Sequence, residues 1–112
     1  MSLTYYKTAE RPDIKLWLLD DDGTLINLAA GYTFSFKIGV NGSAAVFTKT
    51  TGVTGAAGSG VEPNGTPNVT LTFTAAELAA VAVGTYQWQL TATTSGLDRV
   101  FQGRITIKDV VT

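Results

Sequence analysis

An antiparallel β-sandwich of seven or eight short strands, with one short helical turn near residues 75–82, is the fold this sequence predicts. Three observations lead there. Apolar and polar residues alternate in run after run, as in Val69, Leu71 and Phe73 against Thr70, Thr72 and Thr74. That period of two marks a half-buried strand. Turn signals such as Asp22-Gly23, Asn41-Gly42 and Ser95-Gly96 separate the runs, within a total of 12 Gly. Threonine, valine and aromatics, which favour strands, fill the runs between them. At 112 residues the chain is one domain, long enough to bury about two-thirds of its unfolded surface.

Residues 1–12 read as a polar N-terminal arm with a short strand at Thr4–Thr8, closed by Arg11-Pro12. Residues 13–112 read as the sandwich domain. In Asp13–Leu19, Ile14, Leu16 and Leu18 share one face while Trp17 and Leu19 take the other, so both faces are expected to be partly covered. Asp20-Asp21-Asp22-Gly23 is a turn, with Gly suited to positive φ and Asp able to bond its own backbone. Leu25–Leu28 is a short return strand. Tyr32–Gly39 alternates strongly through Phe34, Phe36 and Ile38, and Asn41-Gly42 turns it into the weak edge strand Ala45–Thr51. Residues 52–68, rich in Gly and Pro, read as a long, mobile loop with a strand fragment near Val53. Arg99–Val110 is the last strand, with Phe101, Gly103, Ile105 and Ile107 on one face.

The most informative stretch is 69–93. Thr74-Ala75-Ala76-Glu77 has capping-box spacing, in which the Thr hydroxyl accepts the Glu77 N–H and the Glu carboxylate accepts the Thr74 N–H. Gly84 closes the turn. Tyr86, Trp88, Leu90 and Ala92 then alternate against Gln87, Gln89 and Thr91. A helical turn followed by a Tyr at the start of the next strand is the E–F corner of immunoglobulin-like sandwiches. Thr74, Glu77, Gly84, Tyr86 and Trp88 are therefore assigned to a structural corner, with Trp88 where an antibody domain carries a core cysteine.

Composition argues against most chemistry. The chain has no Cys and no His, so disulfides, thiolate metal sites and the commonest general base are excluded. A net charge of −1 leaves no footprint for nucleic acid or an anionic membrane. The longest apolar run, Leu78–Val83, is too short to span a bilayer, and residues 1–7 lack the apolar core of a secretory signal. The aspartate run lacks the alternate spacing and terminal Glu of a calcium loop. Asp13, Glu62, Glu77 and Asp98 are scattered, which does not suit glycoside hydrolysis. Gly55–Gly60 lacks the Lys-Ser/Thr of a phosphate loop. The Asn-x-Ser/Thr triplets at Asn41, Asn64 and Asn68 are read as turn and strand chemistry. No enzyme, cofactor or metal is expected.

Contact surfaces remain. Tyr5, Tyr6, Trp17 and Leu19 are the candidate interface, Trp17 because it opposes the apolar face of its own strand. A second packed layer over Trp17 is an equal alternative. The 52–68 loop is a second candidate surface. A carbohydrate-binding module is the competing reading, built on exposed aromatics. Tyr32, Tyr86 and Trp88 fall on inward faces and so belong to the core instead.

Gly23–Ile38, with Tyr32, Phe34 and Phe36 alternating after a small-residue turn, together with Val69–Leu78 and Gly84–Leu90, resembles the immunoglobulin-like N-terminal domain of phage baseplate upper proteins and related small phage tail proteins. The resemblance covers roughly residues 13–110. It implies a non-enzymatic structural or adaptor module of a phage or prophage tail or baseplate, made in the bacterial cytoplasm and residing in the virion. Its implied partners are other virion proteins and copies of itself. Host-receptor or carbohydrate binding is the alternative function, and a bacterial surface domain is a third.

Overall fold

The computed structural model describes residues 2–6, 13–40, 42–62, 64–74 and 77–108. Eight strands form two sheets: β1 (Ser2–Tyr6), β2 (Ile14–Leu16), β3 (Thr33–Gly39), β4 (Ala45–Lys49), β5 (Val53–Gly55), β6 (Val69–Leu71), β7 (Gly84–Thr94) and β8 (Leu97–Lys108). The order is β1-β8-β7-β3-β4 in one sheet and β2-β6-β5 in the other. All neighbours are antiparallel except β1, which runs parallel to β8. The alternation legible in the chain supplies the core. Leu16, Val69 and Leu71 from the smaller sheet share one buried cluster with Phe36, Ile38, Trp88, Leu90, Ile105 and Ile107 from the larger. Phe73 is its aromatic hub, with ring centroids 4.9 Å from Tyr5 and 6.3 Å from both Phe36 and Phe47.

Three expectations need correction. The N-terminal stretch is not an arm. Ser2–Tyr6 is an edge strand of the larger sheet, with Leu3 and Tyr5 opposite Ile105 and Ile107 and packed inward. The expected strand at Thr4–Thr8 thus begins earlier, at Ser2, and residues 7–12 lie outside the described residues. The 52–68 stretch holds the strand fragment expected near Val53, but the rest of it is not an open loop. After β5 the chain returns through an antiparallel bridge between Ser59 and Thr66. Ala56 N–H donates to Asn68 O at 2.9 Å, and Leu28 N–H donates to Ala56 O at 3.0 Å. Finally, there is no helix among the described residues. Glu77 N–H donates to Thr74 O at 3.3 Å and Val81 N–H to Leu78 O at 3.1 Å, each bond joining residues three apart. Ala75 and Ala76 lie outside the described residues.

The corner itself has the expected bonds with one change of partner. Thr74 N–H donates to Glu77 Oε1 at 2.8 Å, the reciprocal half of the capping box. The acceptor for Glu77 N–H is the Thr74 carbonyl rather than its hydroxyl. Gly84 opens β7 opposite Ile107. The half-buried Tyr86 donates from its hydroxyl to Ala82 O at 2.7 Å, tying the strand back to the connection before it. Tyr86→Phe is therefore expected to cost about 1 kcal/mol in urea unfolding, one hydrogen bond's net worth; an unchanged midpoint would show the bond contributes nothing. Trp88 is buried and stacks on Phe36 at 6.1 Å.

Candidate functional site

Two polar groups missed in the sequence hold the interior. Asn68, fully buried, lies just before β6. Its Oδ1 accepts Leu18 N–H at 2.8 Å, while Nδ2 donates to Leu18 O at 2.8 Å and Ile26 O at 3.0 Å. One side chain thus bonds both segments of the 18–26 return, beside their own Ile26 N–H to Leu18 O bond at 3.2 Å. Lys49 points inward from edge strand β4, with its ammonium against Glu77 Oε2 and 5.1 Å from the Phe73 ring centroid. An inward charge on an edge strand discourages pairing with another chain, and here it also anchors the 74–82 connection.

Burial raises the Glu77 carboxyl pKa, but hydrogen bonds from Lys49 and from the Thr74 amide, with the Lys49 charge, outweigh it. The group therefore sits below its ordinary value of 4.5. A depressed carboxylate contributes stability above its unfolded value and loses it as the pH falls through the folded one. Glu77→Ala should cost about 2 kcal/mol at neutral pH, discounted for partial exposure, because it strands the Lys49 ammonium. The difference from the native chain should shrink below about pH 4 in urea titrations; a constant difference would rule out the ion pair as its source.

The candidate interface divides. Tyr6 and Leu19 are exposed, at 43% and 51%, but Tyr5 and Trp17 are buried, at 1% and 8%. Alternation decides Tyr5, which faces the core while Tyr6 faces out. Trp17 faces away from the main core and is covered by the 56–68 segment, with its indole N–H donating to Ser59 O at 3.2 Å. It belongs to a second packed layer, so neither Tyr5 nor Trp17 offers contact area to a partner.

The charged turn residues are also held structurally. Asp20 Oδ1 lies 3.4 Å from Arg99 Nη1. Asp22 Oδ1 accepts Thr24 N–H at 3.0 Å, and hydrogen bonds from Thr24 hold that carboxyl below its ordinary value. Among the described residues no three acidic side chains gather in a way that could hold a metal ion. Asn68 is unavailable for modification in the folded chain, Asn64 is exposed, and Asn41 lies outside the described residues.

What remains on offer is the outer face of the five-stranded sheet. Cross-strand register sets Lys37, Gln89 and Gln102 side by side, with Gln87 next to Arg104. A shallow groove of about 370 Å³ runs between these side chains and the 39–45 connection. The signal for this face was in the sequence, as the polar half of the same alternation that placed the core. No residue type on it announced chemistry. Comparisons with protein-family models, curated proteins and solved structures found no match.

Proposed function

We propose that this chain is a non-enzymatic structural or adaptor module of a phage or prophage tail or baseplate, acting through protein–protein contacts in the virion. The observation that carries the contact reading is the outer face of the five-stranded sheet. It is broad and exposed, lined by amide and cationic side chains, with no imidazole or thiol anywhere in the chain to make a nucleophile–base pair. The strand layout supports an immunoglobulin-like assignment. With β2, β6 and β5 taken as B, E and D, and β8, β7, β3 and β4 as G, F, C and C′, the order follows that fold's plan, and Tyr86 occupies its corner. The placement in a tail or baseplate rests on the motif resemblance alone.

The carbohydrate reading has less support, because its aromatic platform is dispersed. Trp17, Trp88 and Tyr5 are buried, Tyr32 and Tyr86 are half-buried, and Tyr6 is exposed on a different strand. Amine cross-linking of purified tail particles, read by mass spectrometry, tests the proposal. Cross-links from Lys37 or Lys108 to a virion protein or a second copy are expected. Absence of the chain from the particles, with reproducible binding on a glycan array, would overturn it.

A further inference from the structure

Among the described residues, three of the four charged side chains on the outer face of the larger sheet are cationic. Lys37 and Arg104 sit on neighbouring rows, and Lys108 continues the same side of β8. The face's carboxylate among the described residues is Asp98, at the β7–β8 hairpin end, where Thr93 Oγ1 donates to it at 2.6 Å. Neither Lys37 nor Arg104 forms an ion pair among the described residues. The shallow groove is lined by Lys37 with Gln87, Gln89 and Gln102, and Arg104 stands on its flank opposite Gln87; such a surface is complementary to a convex, anionic tip.

The chain carries such a tip. Asp20, Asp21 and Asp22 stand exposed on the turn between the bridged residues Leu19 and Leu25. The Asp21 side chain has no hydrogen bond or ion pair within the described residues, so its carboxylate is open to a partner. Asp20 is pinned beside Arg99, at the hairpin end of β8. Arg104 lies five residues further along that strand, roughly 17 Å at about 3.4 Å per residue. A copy's own tip is too far away to fill its own groove, so the complementarity acts between molecules.

We infer that the outer face of the five-stranded sheet docks a second copy of this chain head to tail, with the Asp20–Asp22 tip of one copy in the Lys37 groove of the next and beside its flanking Arg104. This names the partner for the contact surface proposed above and rests on that reading. Because tip and groove are different surfaces, the contact is heterologous, and repetition gives a ring or an open chain of subunits.

Sedimentation velocity of the full chain across a concentration series at low salt tests the inference. Association should extend beyond dimers and weaken at least about tenfold when salt shortens the screening length from about 10 Å to about 3 Å. The groove variant K37E/R104E and the tip variant D21K/D22N should each sediment as monomers, with the native chain's melting temperature. Asn at 22 keeps an acceptor for Thr24 N–H. An equal mixture of the two variants should associate, since one retains the acidic tip and the other the cationic groove. A native chain that stays monomeric at millimolar concentration, association that survives both variants, or a mixture that stays monomeric would each overturn the second-copy assignment. None of these would touch the contact reading itself, which the particle cross-links decide.

Discussion

Asn68→Ala is expected to destabilise the protein by about 4 kcal/mol, the largest loss from any single polar side chain among the described residues. The substitution removes the partner of a buried Leu18 N–H and the donor to the Ile26 carbonyl, while Leu18 O keeps the Ile26 N–H at 3.2 Å. Each buried group left without a partner costs about 1–3 kcal/mol, well above the net worth of a bond made in water. The melting temperature should fall by roughly 20 °C, at about 5 °C per kcal/mol for a domain of this size. Asn68→Asp separates hydrogen bonding from packing. It preserves shape and the acceptor for Leu18 N–H, yet sets a carboxylate against two carbonyl oxygens, and should be at least as damaging. Asn64→Ala, at an exposed position, should leave stability within about 0.5 kcal/mol. An Asn68→Ala loss below about 1 kcal/mol would mean that water reaches these groups and the cross-link is incidental.

Gly55→Ala is expected to cost about 3 kcal/mol, from overpacking rather than backbone strain. A Cβ at this position would stand 2.1 Å from Leu28 O and 2.9 Å from the Phe34 ring. β5 lies against the 26–28 segment here, where Leu28 N–H donates to Ala56 O. The obstacle is a backbone carbonyl, so trimming the ring should not help. The double variant Gly55→Ala/Phe34→Leu is expected to be no more stable than Gly55→Ala alone. Gly23→Ala is the informative contrast. Its Cβ would meet nothing within 4 Å, but φ is +85°. It should lose only about 1 kcal/mol through conformational preference. Thermal unfolding of the two alanine variants checks the ordering. Equal losses would mean that β5 moves away from Leu28 at little cost.

These two sites show where sequence reasoning reaches its limit. Asn68 stood out only as part of an Asn-x-Thr triplet, and Gly55 as one glycine in a Gly-rich stretch. Their roles come from Leu18, 50 residues away, and from Leu28, which no local pattern links to them. The same applies to Lys49, an ordinary residue in a weakly alternating strand until Glu77 and Phe73 surround it. Trp17 is the instructive case at the candidate interface. Its strand parity is as expected, away from Ile14 and Leu16, but exposure depends on whether another segment folds over that side.

The residues by themselves determined the longer strands β3, β7 and β8 and the turns that bound them. Alternation with a period of two, turn preferences and hydrogen bonds between near neighbours act over a few positions, and so they can be read in order along the chain. The corner bond of Tyr86 came from likeness to the immunoglobulin-like corner, and its partner, Ala82 O, lies only four residues away. Only the tertiary structure decided which surfaces stay open. It placed β1 in the sheet, laid the 56–68 segment over Trp17, and left the Lys37–Arg104 face uncovered. Burial is a property of assembled layers, and the free energy that selects among assemblies depends on contacts between residues far apart in the chain.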